Sequence, residues 1–200
     1  RRPPRSKPKP SSAASDVYKR QGKWEKKKFV GRELYGKTLG IVGLGRIGKA
    51  VAERALAFGM RVIAYDIVPQ EFRGIQMVTF EELLKEADII TLHIPISPTT
   101  RYLISDENIK KMKDGVVIIN CARGGLVNEE ALARALKSGK VSCAALDTYE
   151  KEPPSGSPIT EFPNVVLTPH IGGQTREGQV RASVEIAKKV ADFLIPMENA

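Results

Sequence analysis

Residues Lys37 to Asp66 read KTLGIVGLGRIGKAVAERALAFGMRVIAYD. A short apolar run, Leu39 to Val42, leads into glycines at positions 43, 45 and 48. Ile47, Ala50, Val51, Ala55 and Phe58 follow at helical spacing, which predicts one apolar helix face. Gly59 stands where a helix C-terminus favours glycine. A second apolar run, Val62 to Tyr65, ends on Asp66. The order is strand, glycine turn, helix, strand, acid.

Each part of that order has a physical consequence. Gly43 permits a sharp turn off the strand. Gly45 has no Cβ, so a pyrophosphate can approach the backbone. Gly48 lets the helix pack tightly on the sheet, and the helix start offers free N–H groups and a positive dipole end. Asp66, 18 residues beyond Gly48, is placed to accept hydrogen bonds from a ribose diol. Glycine-rich helix–sheet packing alone accounts for the turn but not for the acid. The unit therefore predicts a dinucleotide site.

Composition argues against other ligands. The 200-residue chain carries a net charge of +9. Residues 1–28 hold 11 Lys/Arg and 2 Asp/Glu, while the remainder holds 21 of each sign. The globular part is therefore neutral, and a nucleic-acid-binding face is not expected. Cys121 and Cys143 form no CxxC and suggest no disulfide framework; both fall in apolar runs, so buried thiols are expected. Two His and two separated Cys make no metal site. No apolar run approaches the roughly 18 residues that a membrane span needs, and no signal-peptide core is present. A cytoplasmic location is expected, with organelle import open.

Residues 1–21, RRPPRSKPKPSSAASDVYKRQ, are Pro-, Ser- and Lys/Arg-rich and lack apolar periodicity, so they should not fold alone. An Arg/Ser-rich, acid-poor leader fits a transit peptide, but SSAASDVYKRQ resembles translated cloning or adaptor sequence, and a non-native leader is expected. Beyond the opening unit, Gln76 to Val78 is a short strand candidate. Thr79 and Glu82 make a capping box for a helix through Glu86. Ile89 to Ile94 reads as a strand, Ser105 caps a helix ending near Lys110, Lys111 and Lys113, and Val116 to Ile119 reads as a buried strand. Asn128 caps a helix to Ser138, stopped by Gly139. Ser142 to Leu146 and Val165 to Thr168 are strands, and a helix from about Thr175 to Leu194 closes the chain, with Pro196 beyond it.

Alternating helices and continuously apolar strands imply an α/β, Rossmann-type, doubly wound parallel sheet covered on both faces. Ligands of such sheets bind at the carboxyl ends of the strands. Asp66, His93, Arg123, Asp147, Glu152 and His170 all lie just past strand ends. Arg123 offers a planar fork for a carboxylate, His170 an acid/base near neutral pH, and Glu152 a carboxylate that favours an imidazolium. Taken singly, each has a plainer reading: Arg123 as a loop charge, Glu152 as one of three loop acids, and His170 as a capped or buried histidine after a strand. His93 reads as a structural or cofactor-loop residue.

The strings GKWEKKKFVGRELYGKTLGIVGLGRIG, NCARGGLVNEEALARALKSGK, AALDTYEKEPP and TPHIGG resemble the D-isomer-specific 2-hydroxyacid dehydrogenases over residues 22–200. The resemblance implies NAD as cofactor and a small 2-hydroxy acid as substrate. It assigns substrate oxygens to Arg123, the general acid/base to His170, its supporting carboxylate to Glu152 and the nicotinamide carboxamide to Asp147. Cofactor contacts are implied for Gly43, Gly45, Arg46, Ile47, Gly48, Asp66, Pro95, Cys121, Gly172 and Gly173. Likeness is greatest to members that oxidise 3-phospho-D-glycerate to 3-phosphohydroxypyruvate in serine synthesis. Alternatives are a hydroxypyruvate or glyoxylate reductase and a corepressor-like NAD-binding scaffold. A homodimer through the cofactor domains is also implied.

The family's GAST after the histidine is GGQT here, Gly172 to Thr175, which puts that loop's side-chain contacts in question. Expected boundaries are a leader over 1–21, an NAD-binding domain over 22–177 and a returning C-terminal helix over 178–200. Most of the family's substrate domain is expected to be missing, and the chain alone to be inactive.

Overall fold

The computed structural model describes residues 20–22, 24, 30–68 and 70–198, with side chains through residue 194. The leader expectation falls almost wholly outside the described residues. Two compact units divide the chain: one ends at Thr168, and the second runs Pro169–Ala200.

The first unit holds β1 (Thr38–Val42), α1 (Arg46–Ala57), β2 (Arg61–Tyr65), β3 (Ile75–Met77), α2 (Phe80–Glu86), β4 (Ile89–Leu92), α3 (Asp106–Lys111), β5 (Val116–Asn120), α4 (Glu129–Ser138), β6 (Val141–Leu146) and β7 (Val165–Leu167), with a 3-10 turn at Pro158–Glu161. All seven strands are parallel, in the order β3-β2-β1-β4-β5-β6-β7. Chain order reverses between β1 and β4, the switch point at which doubly wound sheets bind ligands. Strand alternation divides the core between the two faces. Leu39, Ile41, Val62 and Ala64 pack with Ala52, Ala55 and Met60 on the α1 side. Val42, Ile63, Ile90 and Leu92 pack with Leu83, Leu84 and Leu132 on the other.

Coverage is unequal. On the face away from that larger cluster, Val117, Ile119 and Ala145 are only half-buried and Val166 is exposed. The expected full cover of both faces holds around β1 and β2, because α1 is the helix that packs on that side of the described first unit.

The caps behave as their chemistry dictates. Thr79 and Glu82 exchange capping-box bonds, Ser105 accepts the Asn108 N–H, and Asn128 accepts the Ala131 N–H. Gly59 N–H bonds to Leu56 O and Met60 N–H to Ala55 O, the paired bonds of a Schellman stop.

Several expectations are corrected. The buried stripe of α1 is Gly48, Ala52 and Ala55, while Ile47 and Phe58 are exposed. Contact at Gly48 sets the helix's rotation and turns Ile47 outward. β4 stops at Leu92 rather than Ile94, because its neighbours end opposite it at Val42 and Asn120. Cys121 is exposed and Cys143 half-buried; Cys121 has already left β5 for the loop. In the second unit, α5 (Arg176–Glu198) runs past Pro196. A proline in the last turn removes its own N–H bond without undoing the turns before it.

Candidate active site at the carboxyl edge

The glycine turn sits at the switch point. Gly43 has φ +95°, and a Cβ there would lie 2.7 Å from both His93 O and Ile94 Cγ2. A Cβ on Gly48 would lie 2.1 Å from Gly43 O, so helix and turn meet backbone to backbone. Around Gly45 the space is open: nothing lies within 4 Å of an added Cβ. No side chain caps α1 at Gly45, in contrast to α2, α3 and α4. Arg46 and Ile47, the first two residues of α1, are both exposed. An open cradle, an uncapped helix start and a following acid fit a dinucleotide phosphate group.

Asp66 directly follows β2. Its Oδ2 accepts the Leu44 N–H at 2.7 Å and its Oδ1 the Val68 N–H at 3.0 Å. The loop after β4 closes the other side. His93 N–H bonds to Val42 O, and its Nε2 shares a 3.1 Å hydrogen bond with Thr91 Oγ1. Burial pushes the His93 imidazole below its ordinary value. Pro95 O accepts the Thr100 hydroxyl, which fixes the loop.

Arg123 is held by its own turn. Asn120, buried at the end of β5, donates through Nδ2 to Arg123 O and accepts the Ala122 N–H on Oδ1. The exposed Arg123 guanidinium donates to Ala122 O at 2.6 Å. Beside it Cys121 is exposed; partial desolvation and the Asp147 carboxylate push its thiol up. Gly124 meets the next loop so closely that a Cβ would lie 1.8 Å from Tyr149 O. Gly125 O accepts the Tyr102 N–H, and Ile104 bridges Val127 in parallel fashion.

The loop after β6 carries Asp147 and Glu152. Asp147 is buried and accepts the Thr168 hydroxyl at 2.5 Å. Glu152 is exposed, with Oε1 3.3 Å from the Tyr149 N–H that it accepts. Tyr149 is buried, and its hydroxyl reaches Leu146 O and Thr168 O; burial raises its phenol. Glu129, buried at the start of α4, accepts the Glu150 N–H and the Ser157 hydroxyl. Glu150 in turn accepts the Glu129 N–H and the Tyr102 hydroxyl.

Asp66 and the glycine turn are thus brought together, as are the Arg123 and Glu152 loops. His170, Gly172 and Gly173 belong to the second unit. His170 is exposed and holds φ +54°, an uncommon conformation for a residue other than glycine and one that gathers at functional sites. The GGQT departure keeps a local role: Thr175 Oγ1 accepts the Gly178 N–H at the start of α5.

The Glu129, Glu150, Tyr102 and Ser157 contacts have no signal in the sequence, where Glu129 stands as one of two acids in the first turn of α4. Asn120 carried a usable signal, since an amide closing an apolar run needs buried partners. Among the described residues no group of acids, His and Cys could hold a metal, and no helix is long and apolar enough to cross a membrane.

Comparison with known proteins agrees with this geometry. The chain is 49% identical over 180 residues to a D-3-phosphoglycerate dehydrogenase of Methanocaldococcus jannaschii, covering 88% of this chain and 34% of that protein. It is 49% identical over 182 residues to a hydroxypyruvate reductase of Thermotoga maritima, covering 89% and 60%. The crystal structure of D-lactate dehydrogenase from Aquifex aeolicus complexed with NAD and lactic acid superposes with TM-score 0.81 at 36% identity, covering 92% of this chain and 61% of that one. The chain therefore spans about a third of the first relative's length and three fifths of the second's. Residues 11–172 match the family described as D-isomer specific 2-hydroxyacid dehydrogenase, NAD binding domain, and the chain belongs to that family.

Proposed function

We propose that the chain is the cofactor-binding and catalytic-residue part of an NAD-dependent dehydrogenase that oxidises 3-phospho-D-glycerate to 3-phosphohydroxypyruvate. Bound NAD+ would supply the hydride acceptor, held by Gly43, Gly45, Arg46, Ile47, Gly48, Asp66, Pro95, Cys121, Asp147, Gly172 and Gly173. Arg123 binds the substrate carboxylate through its planar fork. His170 takes the hydroxyl proton as the C–H bond at C2 breaks, and Glu152 is the carboxylate that favours the imidazolium. Asp147 orients the nicotinamide carboxamide.

The observation that carries this reading is the backbone contact of Gly124 with Tyr149 O, which sets the Arg123 loop against the Glu152 loop at one sheet edge. A 49% identical relative named D-3-phosphoglycerate dehydrogenase supports the choice of substrate. An equally identical hydroxypyruvate reductase favours a second reading, an unphosphorylated hydroxy acid. A 22–177 cofactor domain, a helix over 178–200 returning towards a substrate domain, a homodimer and a cytoplasmic location go with the proposal.

NADH formation from 3-phospho-D-glycerate, set against D-glycerate, tests it. The chain alone should bind NADH with little turnover. Extended to its relatives' length, it should prefer the phosphorylated acid. Preference for D-glycerate would favour the second reading.

A further inference from the structure

Asp66 is read above as the ribose acid, yet both its oxygens already serve the backbone. Oδ2 holds the Leu44 N–H at 2.7 Å, and Oδ1 holds the Val68 N–H at 3.0 Å. Leu44 lies between the two turn glycines, and its side chain is fully buried among Ile41, Ala52 and Val62. With the side chain fixed by packing, the Asp66 bond fixes the Gly43–Leu44 peptide, one residue ahead of Gly45. That peptide decides where the open N–H groups of α1 face. A second tie, Gly43 N–H to Tyr65 O at 2.8 Å, anchors only the first half of the turn. Each carboxylate oxygen has a second lone-pair direction, so the backbone bonds leave room for a ribose hydroxyl.

We infer that Asp66 is a positioning residue for the phosphate-binding turn, through its bond to Leu44 N–H, and not only a reader of ribose. The two roles make opposite predictions for a ligand without ribose hydroxyls. If Asp66 only reads ribose, its removal leaves such a ligand unaffected. Loss of a negative charge beside the diphosphate would even tighten it. If Asp66 braces the turn, its removal weakens binding despite the lost repulsion.

The probe is 2′,3′-dideoxyadenosine diphosphate, measured by displacement of NADH from the chain, with ADP alongside. Asp66→Ala should weaken the dideoxy ligand by about fivefold or more, in keeping with loss of one charge-assisted hydrogen bond. Asp66→Asn keeps an acceptor for Leu44 N–H. It should hold the dideoxy ligand within about twofold of wild type while losing affinity for ADP. Dideoxy binding to Asp66→Ala as tight as wild type, or tighter, overturns the inference. So does an Asp66→Asn chain that loses the dideoxy ligand; if the alanine variant does not fold, Asp66→Ser, whose short hydroxyl does not reach the Leu44 N–H, takes its place with the same two outcomes.

Discussion

Glu129 and Glu150 each accept the other's backbone N–H on a side-chain oxygen, at 2.7 and 2.8 Å, across 21 positions of sequence. Two acids facing one another would ordinarily repel. Here each carboxylate meets an N–H group, and Glu129 also sits in the first turn of α4, where the helix dipole favours negative charge. Glu129 additionally takes the Ser157 hydroxyl. Glu150 and Ser157 flank Glu152, so one buried carboxylate fastens both sides of the segment that bears it.

Replacing Glu129 should therefore cost more than a surface helix acid. Glu129→Ala removes two acceptors and leaves the Glu150 N–H without its partner, for an expected loss of about 2–4 kcal/mol in unfolding free energy. Urea denaturation measures it. A loss under about 0.5 kcal/mol, the range of an ordinary surface substitution, would show that the clamp contributes nothing.

The turn glycines should separate folding from binding. Gly45 has φ −73° and open space around it, so Gly45→Ala should leave thermal stability nearly unchanged while filling the room a phosphate needs. NADH affinity should drop by roughly tenfold or more, the loss expected when close backbone approach is blocked. Gly48→Ala drives a Cβ into Gly43 O and should destabilise the chain itself by about 2 kcal/mol or more. Paired melting and NADH titration check both, and equal behaviour of the two variants would contradict the assignment.

Acid sensitivity should include a contribution from Asp88, at the opposite edge of the sheet. Desolvation tends to raise its carboxyl, but the Thr38 N–H and the Lys113 ammonium outweigh that and hold it below its ordinary value. A carboxylate depressed in the folded state adds stability that is present above its unfolded value, about pH 3.9, and is lost as pH falls through the folded one. Asp88→Asn should therefore be less stable than wild type near neutrality and should flatten the decline below about pH 4. Urea midpoints across that range read it; parallel curves for the two proteins would count against it.

Cys121 should react slowly for an exposed thiol. Partial desolvation and the Asp147 carboxylate raise it, so little thiolate is present near neutral pH. Asp147→Asn should speed its labelling by a neutral thiol reagent, and NADH should protect it if the cofactor lies against that loop. Labelling as fast as a free thiol, in the wild-type chain, would refute the electrostatic account.

What the sequence disclosed follows the range of the physics involved. Gly43, Gly45, Gly48 and Asp66 are legible because turn, helix start and strand end are separated by fixed short spacings. Thr79, Ser105, Asn128 and Gly59 are legible because capping is local. Ala55 is buried as its spacing implies, but the α1 stripe is only partly legible because Ala52 buries as readily as Ile47 or Phe58, and only the Gly48 contact chooses between them. Glu129 with Glu150, and Gly124 with Tyr149, are invisible in sequence because they depend on two loops meeting after the sheet has formed. The exposure of Cys121 depends on where β5 ends, which its partner strands decide.

The account rests on the carboxyl edge at Gly43 to Asp66 binding NAD, and a fluorescence titration of the chain with NADH tests this most directly. Saturable binding is predicted, with NADPH weaker because its 2′-phosphate would meet the Asp66 charge. A well-folded chain that shows no saturable NADH binding would contradict it.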